Sequence, residues 1–175
     1  SILFWLSLNS FSSWKVNFFP STKLENFMFI IFFLLFLTII SGAFMAGSDA
    51  GKSFNTWPYM NDKIFPDGYF FNELGIKNFF ENTIAINFNH RWLATFTFLV
   101  ILFFAIYLFF SKKFAKLNKE IMLIIFFLCL QFLLGILTLI TNVKIYWASL
   151  HQINSMLLLS STIFFYYQIK KGDYQ

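Results

Sequence analysis

The sequence predicts an all-α integral membrane protein, a bundle of four transmembrane helices, from three observations. Of its 175 residues 58% are apolar and only 12% charged, far from the quarter of charged residues usual in a soluble domain. Four apolar stretches, residues 27–46, 84–110, 121–140 and 146–167, each reach the length of roughly 20 helical residues that a hydrocarbon core of about 30 Å requires. The basic residues then divide by side. Lys15 and Lys23 precede the first stretch, Lys112, Lys113, Lys116 and Lys119 fill the turn between the second and third, and Lys170 and Lys171 follow the fourth. The positive-inside rule assigns all of these to the cytoplasmic or matrix face. Lys52, Lys63, Lys77, Lys144 and Arg91 fall on the other side, whose long loop also carries Asp49, Asp62, Asp67, Glu73 and Glu81. The net charge of +5 therefore belongs to inner loops and not to a nucleic-acid surface.

Taken in order, the opening SILFWLSLNSF is apolar but too short to span, and it has neither an initiator Met nor the parts of a signal peptide. Residues 1–14 read as the tail of a preceding transmembrane helix, with a short interfacial anchor as the other reading. A cytoplasmic linker, 15–26, leads into the bundle at 27–167, and 168–175 form a cytoplasmic tail. The external loop 47–83 mixes Pro58, Pro66 and several glycines with aromatic residues, which makes it more than a linker. Trp57, Tyr59, Tyr69, Phe70 and Phe71 suit the membrane interface, where an aromatic belt accounts for each as well as a substrate role does. Cys129, the sole cysteine, falls within the third span as a small packing group. Phenylalanine occurs 29 times, a bias of AT-rich coding, so single Phe residues say little about function.

The chain has two histidines: His90, in NFNHRW at the outer end of the second span, and His151, in ASLHQINS at the outer end of the fourth. Those spans run in the same direction, which sets both imidazoles at a similar depth below the external face. Singly, such a histidine is more often an interfacial hydrogen-bonding residue than a ligand, but two at one depth point to a shared task. At helical spacing the same faces carry small or polar residues: Ala94 and Thr97 with His90, and Asn154, Ser155 and Thr162 with His151. Thr38, Gly42 and Ala46 on the first span, and Gln131, Gly135 and Thr138 on the third, repeat the pattern. Residues of this kind let membrane helices approach closely; they also leave room for a flat macrocycle. Zinc calls for three or four protein ligands, and no Cys, Asp or Glu falls at that depth to supply them. Haem needs only axial ligands, so His90 and His151 are candidate axial ligands of a haem iron, a pair suited to electron transfer. Arg91, at the membrane boundary, fits a haem propionate or a snorkelling role toward lipid headgroups equally well.

The segments GAFMAGSDAGKSFNTWP, FFENTIAINFNHRW, LQFLLGILTL and SLHQINS follow one another at the positions just described. Together they resemble the C-terminal half of the haem A synthases of bacteria and mitochondria, over nearly the whole chain. The resemblance implies an eight-helix protein of two similar four-helix bundles, the second of which holds haem b between His90 and His151. It implies an oxidoreductase that oxidises a methyl group of haem O to the formyl group of haem A for terminal oxidase assembly. The substrate haem and a catalytic glutamate would belong to the N-terminal bundle, outside this sequence, leaving no catalytic residue here. The family's N-terminal half places that glutamate three residues before its histidine, where this chain has Asn87, and a neutral amide is no carboxylate base. Glu81 reads as a helix N-terminal charge. The loop lacks the paired cysteines of one form of the family, and Ser48 stands where the family usually has a larger apolar residue.

The partners expected are haem O in the other half, membrane lipids, an electron donor the sequence does not identify, haem O synthase and a second copy of the protein. A bacterial inner membrane is the expected location, with the mitochondrial inner membrane as the alternative. Two other classes stay open: a non-enzymatic electron carrier of cytochrome b type, and a transporter or structural bundle whose histidines are merely interfacial.

Overall fold

A computed structural model describes residues 2–11 and 16–172. Lys15 and residues 173–175 of the expected tail lie outside the described residues. A ten-residue helix, α1 (Ile2–Phe11), is followed by α2 (Lys23–Gly47), a one-turn α3 (Asn78–Glu81) and the long helices α4 (Thr83–Phe110), α5 (Asn118–Ile140) and α6 (Ile145–Lys171). Among the described residues there is no strand, only an isolated antiparallel bridge between Met60 and Lys63.

Three runs, Lys23–Gly47, Thr83–Phe110 and Lys112–Ile140, are long and apolar enough to cross a membrane, which makes this an all-α integral membrane protein. Phe33, Phe36, Phe96, Phe103 and Phe126 point away from the other helices and stay exposed, an apolar surface that hydrocarbon accepts and water does not. Helix α6 matches the three in length, with 27 residues. It is less apolar because Asn154, Ser161, Thr162 and Tyr166 are turned into the bundle and buried.

Local sequence sets the helix ends. Thr22 Oγ1 accepts from Glu25 N at 3.2 Å, and the Glu25 carboxylate turns back to accept from Ser21 N at 2.7 Å, a relative of the capping box. Asn82 starts α4 by accepting from Ile84 N at 3.0 Å. Gly172 closes α6 with φ of 81°, a left-handed conformation that glycine adopts without a Cβ penalty.

In sequence α2 packs on α4, α4 on α5 and α5 on α6. The apolar core gathers at the end where α2 begins and α6 finishes: Met28, Ile31, Ile101, Leu108, Ile121 and Phe165 are buried there. Tyr166 closes the ring between α6 and α2, its centroid 5.8 Å from Phe29 and 5.5 Å from Phe32. Beside it Lys170 Nζ meets Glu25 Oε2 at 3.0 Å, with side chains only 9% and 7% exposed. The segment before α2 is drawn into the same latch. Tyr166 donates to Phe18 O at 2.8 Å and Lys170 to Phe19 O at 3.0 Å, while Trp5 of α1 is buried against Phe18, Tyr166 and Tyr167.

The loop 48–82 at the opposite end is folded rather than strung out. Its 3-10 turns, Ala50–Lys52 and Asn72–Lys77, are tied down by asparagines. Fully buried Asn78 donates to Tyr69 O at 2.8 Å and accepts from Phe71 N at 3.0 Å, and Asn82 donates to Gly68 O at 2.8 Å. These side chains supply the hydrogen bonds that a loop without a ladder otherwise takes from water.

Removing one partner of the Glu25–Lys170 pair strands a buried charge, so Lys170→Met should cost about 3–5 kcal/mol. The double variant Glu25→Gln, Lys170→Met should lose much less than the two single changes combined. Unfolding of the four proteins in detergent measures this, and strictly additive losses would show that the two groups do not act as a pair.

Candidate functional site

The packed end leaves the other half of the bundle hollow. A cavity of about 390 Å³ lies among α2, α4, α5 and α6, within the range of small-molecule sites of about 300–1,000 Å³. Its wall includes both histidines, each about two turns inside the N-terminus of its helix. Because α4 and α6 run in the same direction, equal offsets from their starts give equal depths.

Each imidazole rests on a glycine of the neighbouring helix. A Cβ built on Gly42 of α2 would come within 3.3 Å of His90 Cε1, and one on Gly135 of α5 within 3.0 Å of His151 Cε1. The absence of a side chain at these two positions therefore seats the rings against helix backbone. His151 is the more firmly tied. Its Nδ1 lies 3.1 Å from Gln131 O; a carbonyl only accepts, so the bond requires a proton on Nδ1 and leaves the lone pair on Nε2. His90 Nδ1 has Ser41 Oγ at 3.3 Å, a hydroxyl that can donate or accept and does not fix the tautomer.

Of the small and polar residues predicted to flank the histidines, Thr38, Gly42, Ala46, Ala94, Thr97, Gln131, Gly135, Thr138 and Ser155 line the cavity. Asn154 and Thr162 do not. Asn154 is buried behind Gln131, donating to Phe127 O at 2.9 Å and to Gln131 Oε1 at 2.8 Å. Thr162 lies deeper in the packed half and donates to Leu158 O at 2.8 Å. At the cavity's inner end Thr38 gives its proton to Leu34 O, so Thr97 donates to Thr38 Oγ1 across 2.9 Å, joining α2 to α4.

Two wall residues, Phe98 and Phe132, carried no signal in the sequence reading, whereas Trp57 was expected at the membrane interface. Phe98 and Phe132 stack with centroids 4.4 Å apart, and Trp57 from the loop meets Phe132 edge-on at 5.7 Å. Ser41 was likewise unmarked.

The loop roofs the cavity through Gly51 and Trp57. Gly51 sits so close to the α5–α6 turn that an added Cβ would fall 2.9 Å from Val143 Cγ2. Asn87, fully buried, donates to Ala50 O at 2.7 Å. Arg91 is 8% exposed and sends Nη1 to Thr56 O at 2.9 Å and Nη2 to Phe54 O at 3.0 Å. Its Nε is buried without a hydrogen-bond partner, and none of the ion pairs among the described residues includes it. The guanidinium thus brings a positive charge to the cavity wall with carbonyl dipoles but no carboxylate to offset it. Among the described residues no group of three or more His, Cys, Asp or Glu converges to hold a metal ion.

Four long helices, three of them long and apolar enough to cross a membrane, surround a two-histidine cavity with a cationic wall, which defines the class as a helical membrane bundle with an internal cavity. The chain belongs to the COX15-CtaA family, described as cytochrome oxidase assembly protein, whose match covers residues 1–163. It is 34% identical over 173 residues to a haem A synthase of Pelagibacter ubique (strain HTCC1062), covering 95% of this chain and 48% of that protein. It is also 34% identical to a haem A synthase of Wolbachia pipientis wMel, covering 86% of this chain and 41% of that protein. Haem A synthase COX15 of Arabidopsis thaliana is 34% identical over 80% of this chain and 31% of its own length. The chain thus spans half or less of the curated relatives it matches. No solved structure matches it. With three spanning helices and relatives in bacteria and a plant, it is a multi-pass protein of the inner membrane type that bacteria and mitochondria share.

Asn87→Ala removes the bond that pins Ala50 and leaves that carbonyl unpaired, a cost of about 1–3 kcal/mol. Amide exchange across residues 50–57 should therefore accelerate roughly tenfold, since 1.4 kcal/mol of local opening is one decade. Unchanged protection there would mean that the roof is held by other contacts.

Proposed function

We propose that this chain is the haem b-binding, C-terminal half of a haem A synthase, with His90 and His151 as the axial ligands and α6 as the fourth membrane-spanning helix. The whole protein would convert haem O to haem A for terminal oxidase assembly, with haem O bound, and the oxidation carried out, in a second bundle. The observation that carries the reading is the pair of imidazoles, each seated on a glycine, on the wall of one cavity. Membership in the family and the relatives named haem A synthase support it.

The residues fit the group. Two neutral imidazoles suit an iron already held by a macrocycle, which needs axial ligands alone. His151 has the Nδ1–H to backbone carbonyl bond that commonly orients a ligating histidine and raises the basicity of its other nitrogen. Gly42 and Gly135 keep both rings against backbone, where a Cβ would push them aside. Phe98, Phe132 and Trp57 offer flat apolar surface, and Arg91 supplies the charge that a propionate would offset. Buried without a carboxylate, that guanidinium is costly unless an anion joins it. Haem b supplies one-electron redox chemistry; the residues of this chain bind and orient it and exclude water.

In the full-length protein, His90→Ala and His151→Ala should each remove the low-spin haem b signal or convert it to high spin, while the helical content persists. Optical and electron paramagnetic resonance spectra of purified variants test this, and an unchanged bis-histidine spectrum in both would overturn the ligand assignment. Haem O conversion by the intact protein, followed by chromatography of cell extracts, separates a synthase from an electron carrier of cytochrome b type.

The same reading puts the loop 48–82 outside and both ends of the bundle inside, because Lys112, Lys113, Lys116, Lys119, Lys170 and Lys171 share the latch end. A cysteine introduced at Asn61, with exposed Cys129 replaced by serine, should react with impermeant maleimide from the periplasmic side. Labelling from the cytoplasmic side alone would invert the topology.

A further inference from the structure

The cavity is closed in every direction but one. Toward the latch its floor is Leu35, Leu128 and Leu158, all buried, and above it lies the roof held by Asn87 and Arg91. On the α4–α5 side Phe98 and Phe132 stack across the seam at 4.4 Å. The α2–α6 side has no such closure. The hydrogen bonds, ion pairs and ring contacts described between these two helices belong to the latch, where Glu25, Phe29 and Phe32 meet Tyr166 and Lys170. Beyond the latch, the wall residues that are also exposed at the surface are Ile39, Ala43 and Ala46 on α2 and Gln152 on α6. Among the described residues, no wall residue of α4, α5 or the loop is exposed. Ile39, Ala43 and Ala46 fall along one edge of their helix. Their surroundings Ile40, Ile153 and Met156 are exposed and apolar, so the opening suits hydrocarbon and not water.

The histidines indicate what shape of ligand this opening admits. His90 rests on Gly42, joining α4 to α2, and His151 rests on Gly135, joining α6 to α5. The bundle is thus two pairs of helices, each carrying one imidazole. A flat molecule gripped on its two faces by these rings lies between the pairs, and its rim meets the seams where pair faces pair. One seam is filled by stacked phenylalanines and the other is open. We propose that the α2–α6 seam is the entrance of the cavity, through which a flat, apolar ligand dissolved in the membrane slides in edge-first past Ile39, Ala43, Ala46 and Gln152. The inference rests on the haem-site reading for the identity of the ligand, whereas the opening is a property of the chain alone. The latch suits this use, because it ties α2 to α6 at one end and leaves them untied toward the loop. An entrance also differs from a binding contact in its kinetics. It lies on the path in both directions, so narrowing it slows arrival and departure alike and leaves Kd in place, whereas loss of a contact acts mainly on the rate of departure.

The test has two arms in the full-length protein carrying Cys129→Ser. In the first, apoprotein from haem-deficient cells is reconstituted in vesicles and mixed with vesicles loaded with haemin, and the Soret band reports the rate of uptake. Ile39→Trp and Ala43→Trp should slow uptake and release together by about tenfold or more while Kd stays within about twofold. Ile40→Trp, beside the seam but off the cavity wall, should change neither rate. In the second arm, Ala94→Cys sets a thiol inside the cavity of the apoprotein. N-(1-pyrenyl)maleimide, flat and membrane-soluble, should label it, a charged impermeant maleimide should not, and Ala43→Trp should slow the labelling about as much as it slows uptake. A benzophenone carried on Ala43→Cys should crosslink to lipid. The proposal is overturned if uptake and labelling keep their rates in the tryptophan variants, or if the impermeant reagent labels the cavity thiol as fast as the pyrenyl one. Crosslinking of the benzophenone to protein alone would equally overturn it, by showing the seam to be a covered interface between parts of the protein. Should the unsubstituted apoprotein take up no haemin while Ala43→Trp still shields the cavity thiol, the haem-site reading fails and the entrance stands.

Discussion

A bundle immersed in hydrocarbon has to satisfy its polar groups internally, and this one does so differently at its two ends. At the latch end, charges and hydroxyls are consumed in making the helices meet. Glu25 takes Lys170 and Ser21, Tyr166 takes Phe18 O, and the apolar core closes around them. At the loop end the same four helices carry Gly42, Ala46, Ala94, Gly135 and Thr138. Side chains too small to fill the interior leave a cavity where large ones would leave none. The tight latch lets the hollow half persist without collapse, because helix separation there is held by contacts made elsewhere along the same rigid rods.

Much of this could be read from the sequence, and the reasons for what could not are physical. Span positions follow from length and apolarity, and the common depth of His90 and His151 follows from counting spans, since even-numbered spans run in parallel. The facing stripe of small residues was visible as periodicity. Periodicity does not distinguish Gly135, which touches a histidine ring, from Asn154, which stands one layer behind and reaches that ring only through Gln131. Phe98 and Phe132 were hidden for a different reason: among 29 phenylalanines, two that stack against each other carry no compositional mark. Arg91 was expected at the boundary with a propionate or lipid headgroups, but its two carbonyl partners come from a loop some 35 residues earlier, a contact that no local pattern encodes.

The loop shows how backbone groups can be managed without a ladder. Tyr69 O, Gly68 O, Ala50 O, Thr56 O and Phe54 O all accept from the side chains of Asn78, Asn82, Asn87 or Arg91. Each of these donors belongs to α3, to α4 or to the junction between them, so the roof is fastened chiefly to one helix. It rests on the α5–α6 turn through Gly51 and Val143 by van der Waals contact alone.

Asn87 brings the structural and chemical arguments together at one residue. It lies one turn before His90, on the same helix as a residue of the cavity wall. Its amide instead turns to the loop and gives its proton to Ala50 O at 2.7 Å, and it is absent from the cavity wall. A carboxylate in that place would set acceptor against acceptor, losing the bond and adding a buried negative charge. The geometry that makes Asn87 a good fastener for the roof therefore makes the same position a poor one for a general base. In this bundle the residue three before the histidine holds the loop over the cavity through its bond to Ala50 O.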